Sequence, residues 1–279
     1  MKDFKGKLVL ITGGSSGIGL ALAKKLSALG AHVWILARRL EQLRSAKDEI
    51  EKVRSSGDQK FGTISADIAD MEHLNTELDK FLQEVGVPDL LINTAGYAHP
   101  GTFEELAIDH FHQHMSINYF GMVYVIKSIL PGMIKRGSGY IVNVSSMAAF
   151  FSIYGYTPYS ASKFAVHGFT DGLRCEVKHQ GIKVSHVVPP DTDSPGFAKE
   201  NEVKPEITKI ISETGSLATP EQVADAIIKG VKRDRYLIMM GFENSLLYHL
   251  GNFLGSKKRH VLDYLINQAR GKIEKRKAQ

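Results

Sequence analysis

The chain carries one cysteine in 279 residues, Cys175, so no disulfide can form within it, and a lone thiol of this kind is expected to fill an apolar gap in the interior. It has no linker rich in proline, glycine and serine, no low-complexity run and no internal repeat, which leaves one large domain with appendages or two small ones. Its length is enough to bury a sizeable core. Met1 to Lys7 lead straight into a short apolar stretch, too short for a signal peptide or membrane anchor, and a cytoplasmic protein is expected. His110, His112 and His114 have no acidic or cysteine partner nearby, so no metal is expected. Excess positive charge is missing from most of the chain. The net charge is +5, but residues 257–279 hold eight Lys/Arg against Asp263 and Glu274, a tail of +6 that leaves −1 for everything before it. With no interleaved aromatics in that tail, nucleic acid is not an expected partner.

What is present is an alternation. Leu8 to Ile11 form an apolar run, and residues 20–29 follow with helical periodicity that stops at Gly30. The same order of strand and helix repeats through strands at 32–37, 62–66, 89–92, 140–144, 183–188 and 236–240 and helices at 39–55, 71–85, 109–136, 157–180 and 220–232. Strands separated by helices predict a parallel sheet covered on both faces, with ligands at the carboxyl ends of its strands.

The first such end is glycine-rich. Gly13, Gly17 and Gly19 stand between strand and helix, where glycine lets the backbone turn tightly and approach a pyrophosphate held by free N–H groups of the helix N-terminus. Gly13, Ser15, Ser16, Gly17, Ile18 and Gly19 are therefore the expected cradle of a dinucleotide. The second strand ends at Arg38 and Arg39, where a carboxylate would favour the free 2′-hydroxyl of NAD. Arginine suits a 2′-phosphate, so NADPH/NADP is the expected cofactor. Asp67 ends the third strand and is placed to accept from the adenine amino group, and Asn93, Ala95 and Gly96 follow the fourth closely enough to line the cofactor.

Tyr159 and Lys163 lie one turn apart on one face of a helix. A free phenol, with a pKa near ~10, is a poor proton donor to an alkoxide unless a cation stabilises its phenolate, and Lys163 is placed to supply that charge. Ser146 precedes Tyr159 by 13 residues, just past a strand, and Asn118 sits in the 109–136 helix. Ser145 is the residue expected to cap the turn beside Ser146. The ordered motifs TGGSSGIG, NTAG, SINYFG, VNVSS and YSASK resemble the short-chain dehydrogenase/reductase family over about residues 7–240. The resemblance implies an α/β fold, a Rossmann-type doubly wound parallel sheet of about seven strands with helices on both faces, in a single domain. It also implies catalytic roles. Tyr159 would protonate a ketone oxygen, Ser146 would hydrogen-bond that oxygen, Lys163 would lower the tyrosine pKa and hold the nicotinamide ribose, and Asn118 would fix a water in the proton relay. One departure stands out, since the usual Pro-Gly after the sixth strand is Pro189-Pro190 here. Pro189, Thr192 and Ser194 are expected to contact the cofactor, with Ser194 in the register of the family's threonine.

The segment from Pro189 to Asn201, with Lys204-Pro205 and Ile211 to Thr214, resembles a smaller group, the 3-ketodihydrosphingosine reductases. That implies NADPH-dependent reduction of the ketone of 3-ketosphinganine; other lipophilic ketones, such as a steroid, a retinoid or a 3-ketoacyl compound, are the alternative, and a dinucleotide-sensing scaffold is a third reading. Residues at about 190–215 are expected to form a lid, with Phe197, Ile207, Ile210 and Ile211 covering an acyl chain and Phe150, Phe151, Ile153 and Tyr154 adding an apolar wall. Asp191, Asp193 and Glu200 are each candidates to pair with the amine of such a substrate. The catalytic domain is expected to span 1–240, followed by a C-terminal extension at 241–279. Residues 242–254 are too short and too polar to span a bilayer. With the basic segment behind them they either lie on the cytoplasmic face of an anionic membrane, that of the endoplasmic reticulum in a eukaryote, or pack on the domain or a dimer partner. The long helices at 109–136 and 157–180 offer a face for a homo-oligomer, dimer or tetramer.

Overall fold

The computed structural model describes residues 1–212 and 216–277. Residues 213–215, the end of the expected lid, and 278–279, the end of the tail, lie outside the described residues. In chain order the elements are β1 (Leu8–Thr12), α1 (Gly17–Ala28), β2 (His32–Ala37), α2 (Leu40–Lys52), β3 (Phe61–Ser65), α3 (Met71–Glu84) and β4 (Leu90–Asn93). There follow α4 (Ile108–His114), α5 (Gly121–Arg136), β5 (Gly139–Val144), α6 (Thr157–Val177), β6 (Ile182–Val188), β7 (Asp191–Thr192), α7 (Pro195–Val203) and α8 (Glu206–Ser212). The chain continues with β8 (Leu217–Ala218), α9 (Pro220–Lys232), β9 (Leu237–Met239), α10 (Phe242–Leu254) and α11 (Lys258–Lys277).

Seven strands pair in the order β3-β2-β1-β4-β5-β6-β9, every pair parallel. The near-continuous apolar strands follow from burial on both faces, and alternate residues serve opposite layers. Val9, Ile11, Leu90, Ile92 and Val142 pack with α1, α2 and α9, against residues such as Leu22, Leu26, Leu43 and Ile227. Leu10, Leu91, Ile141 and Val184 point the other way, toward Leu78, Phe81, Val125, Ile129 and Val166 of α3, α5 and α6. Each such fully buried side chain contributes roughly 1.5–3 kcal/mol. The strand order turns back between β1 and β4, and the crevice for a ligand opens there, at the carboxyl ends.

Two expectations change. The helix at 108–136 is interrupted by a π-helical segment, Met115–Phe120, that contains Asn118; such insertions widen a helix locally and accompany functional sites. Cys175 is free and exposed, because α6 turns Val166, Thr170, Leu173 and Val177 inward and leaves 175 on the outer face.

The C-terminal extension folds back on the domain. Tyr248 of α10 meets Phe150 edge-on, 4.8 Å between centroids, and Lys258 donates to the Phe150 carbonyl at 2.7 Å while lying 5.0 Å from the centre of the Phe151 ring. Gly251 sits so close to Phe151 that a Cβ there would fall 2.1 Å from the ring. Phe150 and Phe151, expected in the substrate wall, are therefore taken up by the tail. The packed alternative holds for one side of α10. Its other side keeps Leu246, Leu247, Leu250 and Phe253 exposed, Phe253 to 88%.

Candidate active site

A cleft of about 280 Å3 opens at the crevice and is lined by the turn between β1 and α1, the ends of β2, β3 and β4, and the start of α7. Of the residues expected to hold a dinucleotide, Gly13, Ser15, Ser16, Gly17, Ile18, Gly19, Arg38, Arg39, Asp67, Ala95, Gly96 and Ser194 line it. The glycines of the turn pack against the chain's own backbone, where no side chain would fit. Gly13 has φ +68°, and a Cβ on it would meet the Ala95 nitrogen at 2.8 Å; one on Gly19 would meet the Gly13 carbonyl oxygen at 2.4 Å. The N-terminus of α1 carries no acidic residue in its first turn, so its N–H groups and partial positive charge face the cleft uncancelled. Arg38 is 65% exposed and lies 3.6 Å from Asp67, at the end of the cleft away from β5.

Asn93, Pro189 and Thr192 are not part of this lining. Asn93 is buried and donates to Asn143 Oδ1 at 2.9 Å, which ties β4 to β5. Thr192 donates to the Pro190 carbonyl at 2.9 Å. Ser194 caps α7, its Oγ accepting from the Phe197 N–H at 3.2 Å, and its Cβ lies 3.3 Å from where a Cβ on Gly17 would stand.

The cleft continues toward α6. A Cβ on Gly96 would lie 3.6 Å from Asn118 Oδ1 and 3.9 Å from Lys163 Nζ. Lys163 is buried, 5.5 Å from the centre of the Tyr159 ring, and its one hydrogen bond among the described residues is a long one of 3.5 Å to the Val144 carbonyl. With no ion pair to a carboxylate among the described residues, burial lowers its pKa to about 8. The Tyr159 phenol moves the opposite way from the expectation. Burial raises its pKa above the tyrosine range, the hydrogen bond with Ser146 opposes this, and the charges of Glu200 and Asp191 add to the rise.

Ser146 also caps a 3-10 turn, Met147–Ala149, accepting from the Ala148 N–H at 3.2 Å. Ser145 was the expected cap. Its own N–H still bonds to Val187 at 2.8 Å as part of the sheet, so the chain leaves the strand one residue later, and its hydroxyl is buried with no partner among the described residues. Asn118 donates to the Tyr97 carbonyl and to Ser162 Oγ, both at 2.9 Å, and accepts from the Tyr97 N–H at 2.7 Å. Its amide thus clasps the 94–97 loop, leaving one lone pair on Oδ1 for a water.

At this end of the sheet the structure also joins residues that the sequence did not link: Tyr97, His99 and Tyr156, not singled out before, with His110, His114 and Glu200, which were weighed for other roles. The Tyr97 hydroxyl bonds His110 Nδ1 at 2.9 Å, His99 and His110 stack at 3.9 Å, and His114, whose pKa burial lowers to about 4, meets the Tyr159 ring at 6.1 Å. On the other side, Tyr156 packs 5.6 Å from Tyr159 and donates to Glu200, whose carboxylate pairs with Lys204 at 3.5 Å. Spacings of four residues between His110 and His114, and between Glu200 and Lys204, were the available signals. Their partners from other elements were not signalled.

Known proteins resemble this chain in sequence and in fold. A family model described as short chain dehydrogenase matches residues 7–205. A 3-dehydrosphinganine reductase of Danio rerio is 40% identical over 243 residues, covering 87% of this chain and 73% of that protein. A 3-ketodihydrosphingosine reductase of Bos taurus is 40% identical over 246 residues, covering 88% and 74%. Among solved structures, a short-chain dehydrogenase from Streptomyces avermitilis has a TM-score of 0.77 at 28% identity, covering 96% of this chain and 98% of its own.

Proposed function

The chain belongs to the short chain dehydrogenase family and is an NAD(P)-dependent oxidoreductase acting on a ketone or its alcohol, and from that premise we propose that it reduces the ketone of 3-ketosphinganine with NADPH. The observation that carries the chemistry is the convergence of Tyr159, Ser146 and Lys163 where the glycine-floored cleft meets α6. The two reductases 40% identical to it support the substrate.

The glycine turn and the α1 N-terminus would hold the pyrophosphate, and Arg38 with Arg39 the 2′-phosphate. When bound, the cofactor supplies the hydride. The protein supplies the rest. Tyr159, held protonated at neutral pH by its raised pKa, donates its proton to the carbonyl oxygen, and Ser146 hydrogen-bonds that oxygen as charge develops on it. Lys163 stabilises the phenolate left behind. Asn118 fixes the Tyr97 loop and keeps one lone pair for a water of the proton relay. Helices α7 and α8 form the lid, anchored by Thr208 Oγ1 donating to the Tyr154 carbonyl at 2.8 Å.

Two surfaces complete the reading. Phe120, in the π-helical segment ahead of α5, and Phe164 of α6 each remain 42% exposed, which suits a homodimer built on this side of the domain. The apolar outer side of α10 beside the basic α11 suits a cytoplasmic enzyme resting on an anionic membrane.

The test is NADPH oxidation with 3-ketosphinganine against a panel of steroid, retinoid and 3-ketoacyl ketones, repeated with NADH. The proposal expects the highest kcat/KM for 3-ketosphinganine with NADPH. A steroid or 3-ketoacyl compound turned over ten times more efficiently overturns it.

A further inference from the structure

His114 is a buried titratable side chain to which the chemistry at Tyr159 assigns no part. It ends α4, immediately ahead of the π-helical segment, and is wholly shielded from solvent. Both of its ring nitrogens are engaged. Nε2 accepts from the His99 N–H at 3.1 Å, and Nδ1 meets the His110 carbonyl oxygen at 2.5 Å. A backbone N–H only donates and a carbonyl only accepts, so the ring is the neutral tautomer with its hydrogen on Nδ1. Turning the ring, or adding a proton to Nε2, would leave a buried backbone group without its partner. The imidazole is therefore fixed in both orientation and charge.

This fixed ring meets two tyrosines of the site. Its centre lies 4.7 Å from that of Tyr97, tilted by 51°, and 6.1 Å from that of Tyr159, edge to face at 75°. The second contact bears on what Tyr159 has to do. Its hydroxyl has to reach a ketone, so the phenol is best located by what packs on its ring. The torsion that turns such a ring has broad wells, whereas a reacting group has to be held within about 0.5 Å and 10–20°. Tyr156 supplies one ring contact, at 5.6 Å, but its own hydroxyl is tied to Glu200 of α7, a part of the lid. The His114 contact comes from the body of the domain. Asn118, one turn on, acts on the same tyrosine from behind: it donates to Ser162 Oγ at 2.9 Å, and Ser162 donates to the Tyr159 carbonyl at 2.7 Å. Asn118 also bonds Tyr97 as His114 bonds His99, so both side chains tie the 97–99 loop to Tyr159, one through its ring and one through its backbone.

We propose that His114 is a positioning residue for Tyr159, a hydrogen-bonded imidazole that sets the angle of the phenol from the junction of α4 with the π-helical turn. This rests on the reading of Tyr159 as the proton donor and names the residue that aims it. The part His114 plays is independent of which ketone is reduced.

The experiment uses whichever ketone of the panel the wild type reduces best, and compares wild type, His114→Phe and His114→Gln, each with Tyr159 intact and with Tyr159→Phe. NADPH titration counts the sites able to bind cofactor, and rates are expressed per such site. His114→Phe keeps a ring but gives up both hydrogen bonds. Its kcat per site should fall about 10–100-fold, the cost of a misplacement of roughly 1 Å, with KM for the ketone within about threefold of wild type. His114→Gln can still accept from the His99 N–H and should recover part of that loss. In the Tyr159→Phe background the same substitutions should change the residual rate by less than about twofold, because no phenol is left to aim. Equal factors in the two backgrounds, or an undiminished kcat per site in His114→Phe, overturn the proposal. Where the residual rate is too low to measure, the split decides: a loss in kcat alone sustains the assignment and a parallel rise in KM overturns it. If His114→Phe does not fold, His114→Gln is read by itself, a kcat loss of about threefold or more sustaining the proposal and an unchanged kcat overturning it. Wild-type activity in Tyr159→Phe would instead overturn the proton-donor reading on which the assignment stands.

Discussion

Tyr159 and Arg38 carry the two most direct tests at the scale of single residues. Tyr159→Phe keeps the ring and its packing on Tyr156 and His114 but removes the proton donor, so turnover should fall by about 10²–10⁴-fold. Dinucleotide binding, read by fluorescence titration, should stay within about twofold, because Tyr159 does not line the cofactor cleft. Arg38→Ala should raise the KM for NADPH by roughly 10–100-fold, the worth of one or two charge-assisted hydrogen bonds, and leave that for NADH nearly unchanged. Equal losses with both cofactors would place Arg38 outside the 2′-phosphate site. These residues were legible because their signals are local: a glycine turn after a strand, an arginine at a strand end, a tyrosine and lysine four apart. Asn93 looked equally local and is not part of the cleft lining, because a strand end also offers a neighbour, and Asn143 on β5 claims its amide. Tyr156 and Glu200, 44 residues apart, had no such signal.

The elements around the site show the same division. The alternation of strand and helix, and with it the seven-stranded parallel sheet, was legible because short apolar runs alternate with segments of period 3.6. The π-helical turn at Met115–Phe120 was not, since no periodicity marks it; its Asn118 and the His114 just before it bond Tyr97 and His99 in the loop after β4. His114, the last residue of α4, accepts from the His99 N–H at 3.1 Å and its Nδ1 bonds the His110 carbonyl, so the junction of α4 with the π-helical turn holds a neutral, fully buried imidazole against the 97–99 loop. The consequence is a pH dependence of stability. Burial lowers the His114 pKa to about 4 from 6.5, so above about pH 6.5 folded and unfolded chains are both neutral there and nothing is lost. As pH falls from 6.5 toward 4 the unfolded chain takes up the proton first, and stability falls across that window. His186, lowered to about 3 chiefly by burial and then by His167, acts in the same direction and extends the loss to lower pH. Thermal melts from pH 7.5 to 4.5 should show a steady drop in Tm that His114→Gln reduces; a profile unchanged by that substitution would remove His114 as a cause.

At the scale of the whole molecule, the C-terminal extension bears on how the proposed lipid substrate would reach the site. Sequence left two readings of residues 242–254, packed on the domain or lying on a membrane, and α10 has a surface for each. Gly251 and Tyr248 pack on Phe151 and Phe150, while Leu246, Leu247, Leu250 and Phe253 face outward, with the basic residues of α11 close behind in sequence. Deleting the extension would be a poor test of membrane contact, since it also strips Phe150 and Phe151 of their cover. The double substitution Leu250→Glu with Phe253→Glu acts on the outer side alone and should leave Tm within a few degrees. Each apolar side chain that enters a bilayer interface contributes roughly 1.5–3 kcal/mol, so losing two and adding two negative charges should weaken co-sedimentation with anionic vesicles by at least ~100-fold. Binding to wild type should also fall with added salt and be weaker on zwitterionic vesicles, because the basic tail contributes through a field screened over about 8–10 Å. Should the double variant sediment as wild type does, the outward leucines face something other than lipid. If it instead loses vesicle binding while keeping its kcat/KM on detergent-dispersed substrate, contact with the membrane and the chemistry at Tyr159 are separable properties of one fold.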